Sequence, residues 1–229
     1  MATLTAYPDA GTGATTCDSI PVRESVDEAY STIRSGAGTG IYSSSTELDC
    51  GLWGSTTSSQ YRNFWRAGYG FDTSSIGAGS TIDSATLSIV LFSPIQTGLG
   101  SLDYGVVAFT PATNNNHVAA DYGNFGTTRW AADIATASLT ADGSTYNAWT
   151  FNATGLAGIS KTGVTNTGHR FKDDIDNTTG QITWASNVRS HLAIYSADNA
   201  GTTKDPKLVV DYTPAITARA GLLMQLATA

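Results

Sequence analysis

The stretch Gly70–Leu91, "GFDTSSIGAGSTIDSATLSIVL", decides the reading of the fold. In its second half Ala85, Leu87, Ile89 and Leu91 fall on one face, and Thr86 and Ser88 fall on the other. A period of two with one apolar face predicts a half-buried strand. The first half carries turn chemistry. Asp72 can accept backbone N–H groups of the following "TSS" as an Asx-type turn, with Phe71 and Ile76 as core plugs on either side. Asp72, Ser74 and Ser75 beside flexible glycines also suggest an active-site loop, but the alternation that follows favours a core strand with a hydrogen-bonded entry turn.

The same period recurs outward from this stretch. Strands are expected at 28–35, 47–53, 61–71, 102–110, 146–152, 168–175, 181–185, 191–197 and 207–212, separated by turn-forming clusters such as "SGAGTG" and "DNAGTTKDP". Many strands of similar length without a long helical period predict an all-β fold: a single jelly-roll-like antiparallel β-sandwich. Two short segments read as connecting helical turns. One is "NNNHVAADYGN", with an Asn cap before Val118; the other is "NATGLAGISKTG", with Thr154 capping Gly155 to Lys161 and Gly163 ending the turn. The sandwich is assigned to residues 1–213. Residues 214–229 change to an Ala/Leu-rich composition, with Ile216, Ala220, Leu223 and Ala227 on one helical face, and are expected to form an arm for docking or oligomerisation.

Composition narrows the function classes. Charged residues are only 14%, so surface polarity comes from Ser, Thr, Asn and Gly, which suit turns and open strand faces. A net charge of −7 disfavours a phosphate-neutralising patch, and with it nucleic-acid binding. No run approaches the roughly 20 apolar residues of a membrane helix, and "MATLTAYPDAGTG" lacks the basic and apolar regions of a signal peptide. Cys17 and Cys50 permit one bridge; the alternative is two free thiols, one on an N-terminal loop and one in or beside a strand.

A search for chemistry returns few candidates. His117, His169 and His191 share no ligand-type spacing, and no nucleophile elbow or P-loop is present. Asp173, Asp174 and Asp176 in "KDDIDNTTG" are too crowded to read as a glycosidase pair. Asp174, Asp176 and Thr178 alternate ahead of Gly180 and make a calcium-loop candidate, although the terminal bidentate Glu of an EF-type loop is missing. No other cofactor is expected. Of the five tryptophans most should be core, and Trp130, beside Arg129 in "GTTRWAAD", is the candidate for an exposed sugar contact.

The segment "FDTSSIGAGSTIDSATLSIVL" (71–91) resembles the central signature of DNRLRE-type domains, which follows an Arg-bearing strand, and "DPKLVVDYT" (205–213) resembles that family's closing strand. "AADYGNFGTT" (119–128), "NATGLAGISKTGVT" (152–165) and "YSADNAGTTKDPKLVV" (195–210) look like the version common in bacteriophage and prophage structural proteins. The resemblance spans residues 3–213; Gly77 departs from it, standing where the family often has Pro. It implies a jelly-roll-like sandwich, related to alginate-type carbohydrate-binding modules. It further implies a non-catalytic virion structural protein: a capsid decoration or cement protein, or a head- or tail-fibre component. Such a protein would be made in the host cytoplasm and displayed on the virion surface. Its partners would be other virion proteins and its own copies, as a homo-oligomer such as a trimer. The alternative is a carbohydrate-binding module or receptor-binding adhesin for surface polysaccharide.

Overall fold

The computed structural model describes residues 1–12, 15–92 and 94–216. The chain forms β1 (Ala2–Ala6), β2 (Asp18–Glu28), β3 (Gly40–Tyr42), β4 (Glu47–Gly54) and β5 (Tyr61–Trp65). It continues through β6 (Ala67–Asp72), β7 (Thr81–Val90), β8 (Gln96–Thr97), β9 (Asp103–Phe109) and β10 (Phe125–Arg129). The last strands are β11 (Ile134–Ala135), β12 (Tyr146–Thr150), β13 (Val164–Phe171), β14 (Arg189–Tyr195) and β15 (Lys207–Thr213). Three short helices connect them: α1 (Tyr30–Ser35), α2 (Ala153–Ala157) and α3 (Lys172–Asp176).

The result is the expected all-β antiparallel sandwich. A four-stranded sheet, ordered β1-β15-β7-β12, faces an eleven-stranded sheet whose main path is β10-β9-β13-β6-β2-β5-β4-β14-β8. First and last strands pair, Ala2 with Tyr212, so residues 2–213 close into one body. Ala85, Leu87, Ile89 and Leu91 are all buried, as the alternation requires. Trp149 on β12 crosses the interior: its Nε1 donates to the Tyr104 carbonyl at 3.0 Å, and its ring meets His169 edge-on at 4.5 Å. Burial of each such large apolar side chain contributes about 1.5–3 kcal/mol.

The entry turn is built as the residues dictate. Ser74 N–H donates to Asp72 Oδ1 at 2.9 Å, and Phe71 and Ile76 are buried on either side. Gly77 has φ +83°, a conformation closed to proline, whose ring fixes φ near about −65°.

Strands β5 and β6 run as one line against β2, with Val22 opposite Trp65 and Asp18 opposite Tyr69. On their other side the partner changes. β5 pairs with β4 and β6 pairs with β13, so the large sheet forks at Arg66, the residue between them.

Several local expectations are corrected. Residues 30–35 are helical rather than strand, because Tyr30 and Ile33, one turn apart, both face inward; Ile33 is buried and Tyr30 meets Tyr61 at 5.9 Å. The strand expected over 168–175 ends at Phe171, where α3 begins. "QITWA" forms no strand; Thr183 N–H reaches the Leu99 carbonyl at 2.7 Å and the segment lies over the sheet end. Helix α2 is capped by Asn152, whose side chain accepts from Gly155 N–H at 3.0 Å, not by Thr154, and it stops at Gly158 rather than Gly163. The "NNNHVAADYGN" turn is a 3-10 segment, Ala119–Asn124. Both cysteines are free and buried, so the open alternative resolves to two thiols. The expected arm at 214–229 lies outside the described residues beyond Ile216. Among the described residues no helix is long and apolar enough to cross a membrane.

Candidate anion-binding site

The fork in the large sheet brings four charged residues together. Arg66 sits at the branch point, Arg170 lies one residue before the end of β13, Asp174 is on α3, and Arg34 is on α1. Asp174 is wholly enclosed. Arg66 donates to it through Nε at 2.8 Å and Nη2 at 2.7 Å. Arg170 donates through Nε at 2.7 Å and Nη2 at 2.7 Å. One carboxylate therefore receives two guanidinium forks, the geometry in which charge-assisted bonds are strongest. Arg34 adds a third cation: its Nε donates to the Asp174 carbonyl at 2.8 Å and stands 3.4 Å from the carboxylate. Burial by itself would raise the Asp174 pKa, but the charges of Arg66 and Arg170 hold it well below the ordinary carboxylate range.

The remaining donors of the inner arginines are mostly taken by carbonyls. Arg66 reaches the Tyr122 and Arg34 carbonyls, and Arg170 reaches those of Gly126 and Phe125. Arg66 also lies over the Tyr122 ring at 4.1 Å. Arg34 differs. Its side chain is 15% exposed, and its Nη1 and Nη2 have no partner among the described residues. Three guanidinium charges against one carboxylate leave a surplus of two. That surplus opens on a pocket of about 200 Å³, lined by the three arginines with Gly36, Gly123 and Thr127 among its walls. The small walls and free guanidinium edge suit one planar or tetrahedral anion, such as a carboxylate, sulfate or phosphate group.

The residues proposed from sequence are placed differently. Asp174 is the anchor of this cluster, Asp176 accepts from Arg129 at 2.7 Å and from Lys172, and the Thr178 hydroxyl donates to Asp173 at 2.6 Å. Helix α3 turns Asp174 to the core and Asp176 to the surface, so their alternation does not converge on a calcium ion and cationic side chains already occupy the oxygens. Trp130 is buried, not exposed: it meets Phe151 edge-on at 5.5 Å and lies against Gly158 of the α2 C-cap. Arg129 is held by Asp133 at 2.7 Å and by Asp176. Neither offers a sugar platform.

Other aromatic and titratable groups are likewise absorbed. Arg62 and Arg189 stack on Trp53 at 4.6 and 3.9 Å, which covers the ring. A polar cleft of about 270 Å³ beside it is lined by Ser25, Asp27, Ser55, Thr56 and Arg62, with Asp27 accepting from Ser55 at 2.5 Å. The three histidines are buried, which pushes His117 down to about 4, His169 to about 3 and His191 to about 4. They are neutral core groups at pH 7.

Sequence reasoning missed Arg34, Arg66 and Arg170. One signal existed: the four-residue spacing of Arg170 and Asp174.

No family model matches the chain, and no curated protein matches it. Among solved structures it is similar to a carbohydrate-binding module specific for non-crystalline cellulose, CBM28. That similarity covers 91% of this chain and 98% of the module at 12% identity, with a TM-score of 0.31. At that score the likeness carries no argument about function.

Proposed function

We propose that this chain is a non-catalytic attachment module that holds an acidic surface polysaccharide by its charged groups. The observation that carries this reading is the surplus of guanidinium charge at the Arg34 pocket, in a chain whose net charge is −7. An anionic protein gains nothing from a general attraction to polyanions, so a concentrated cationic pocket favours a specific contact over diffuse binding. The DNRLRE-type resemblance belongs to the same reading: the 71–91 signature supplies scaffold, and the arginine ahead of it supplies the site. Titration with a polyuronate and with a neutral glucan tests the proposal. Binding to the polyuronate alone, weakened several-fold between 0.05 and about 0.5 M salt, is expected. Equal binding to both polymers, or to neither, contradicts it.

A second reading places the module on a virion as a decoration or fibre subunit, with a trimer as its assembly. It is favoured by the four-stranded sheet, whose edge strand β1 pairs only with β15 among the described residues and whose outer face carries a polar ladder, Thr3 to Asp211 at 2.6 Å and Ser84 to Asp211 at 2.9 Å. An unpaired edge is a template for strand addition from another chain. Native mass measurement and co-sedimentation with phage capsids or tails test it. A monomer that ignores both particles contradicts it. The two readings are compatible, since a virion subunit can bind host polysaccharide.

A further inference from the structure

Strand β15 ends beside an open apolar groove. Ser80, Thr81 and Ile82, at the start of β7, form one wall, and Leu156, Ala157 and Ile159, from α2 and the residues after it, form the other. The groove encloses about 300 Å³. Ile159 is buried, and Ile82 and Leu156 are half-buried against the core. Lys161, the charged residue of the lining, is already engaged through Nζ by the Ser80 carbonyl at 2.9 Å. The groove therefore offers apolar surface rather than a free charge.

The path of the chain supplies the occupant. Tyr212 pairs with Ile82 and Thr213 with Thr81, so β15 delivers the chain to the groove wall. Ala215 then lies over Gly79: a Cβ on that glycine would stand 2.8 Å from the Ala215 Cβ, closer than side chains approach. Glycine at 79 thus lets the chain stay pressed to the turn before β7. Ile216 follows, 97% exposed. Residues 217–229, outside the described part, gather Leu222, Leu223, Met224 and Leu226, with Arg219 as the one charged side chain. Apolar side chains in such a cluster are unfavourable in water, and so is the open side of Ile82 and Leu156. From Ile216 to Leu222 the chain can span up to about 20 Å, more than the width of a groove of this volume. So short a tether gives the segment an effective concentration of about millimolar, which favours its own groove over a neighbour's.

We propose that the 217–229 segment folds back on its own chain and seats its leucines in the groove between β7 and α2. The inference is independent of the arginine pocket and of the function assigned to it. Hydrogen exchange of the full chain, read against a free peptide of residues 217–229, tests it. Amides of 221–227 should exchange at least about tenfold more slowly in the chain than in the peptide, at any protein concentration. Leu223→Asp, on the segment, should return them to the peptide rate. So should Ala157→Asp and Thr81→Lys, at exposed positions on the two walls. Amides of β7 and β15 should keep their protection in at least one wall variant, which separates release of the segment from unfolding. Peptide-like exchange in the parent would overturn the proposal. Protection that survives both wall variants would overturn it by placing the leucines elsewhere. Protection that grows with protein concentration would overturn it in favour of a second copy.

Discussion

Asp174 and Asp18 are both enclosed by protein, yet their neighbours are of opposite sign. Asp174 receives two arginine forks and lies beside a third guanidinium. The negative charges of Asp198 and Asp205 act on Asp18. Burial pushes both carboxyls up, but the arginines drive Asp174 well below the ordinary range, whereas Asp18 rises to about 8. The same desolvation thus gives a permanently charged lock in one place and a carboxyl that holds its proton in the other. At the fork, cations exceed the anion and the surplus faces a pocket. At the β2 end, burial and neighbouring acidic groups keep Asp18 protonated.

The largest test of this contrast removes the lock. Asp174→Asn leaves Arg66 and Arg170 buried without their counter-charge, and breaking a buried pair in this way costs about 3–5 kcal/mol. Urea denaturation should show that loss; a change below about 1 kcal/mol would mean that the carbonyl bonds alone hold the arginines. The next test exploits the opposite sign at Asp18. Its folded pKa lies above its unfolded value of 3.8, so the native state keeps a proton that the unfolded chain releases. This contribution is full at low pH and is lost as pH rises through about 8. The buried histidines, at about 3 to 4, change protonation on unfolding only below about pH 6.5. The chain should therefore lose up to about 2 kcal/mol between pH 6.5 and 8, and Asp18→Asn should flatten that slope. A parent profile that is already flat would show that Asp18 is charged and paired.

How much of this was readable beforehand varies with the range of the interaction. The Ala85–Leu87–Ile89–Leu91 face and the Asp72 turn are encoded within a few residues, and both formed as read. Strand β2 was hidden because Pro21 and Ser25 interrupt its pattern. Pro21 pairs with Ile41 at the short edge strand β3, and Ser25, at φ +57°, sits in a register shift. Trp130 looked exposed because its neighbours are turn residues, and only the later packing of α2 buries it. The arginine site was illegible for a stronger reason. Positions 34, 66, 170 and 174 meet only where β4 and β13 diverge, and no local period announces a fork. The spacing of Asp174 and Asp176 suggested a shared ion, but a helical turn sends them to opposite sides of the surface.

The smallest expected change in stability carries the largest functional consequence. Arg34 contributes a single bond to a backbone carbonyl and a longer contact to Asp174, so Arg34→Gln should shift stability by no more than about 1 kcal/mol. Its free guanidinium edge is the feature on which the proposed binding rests. Isothermal titration of parent and Arg34→Gln with a polyuronate at low salt is the decisive measurement. The parent should bind, the variant should bind at least about tenfold more weakly, equivalent to about 1.4 kcal/mol, and the two should melt at nearly equal temperatures. Equal affinity in the two proteins, or no binding by the parent, would contradict the proposed binding.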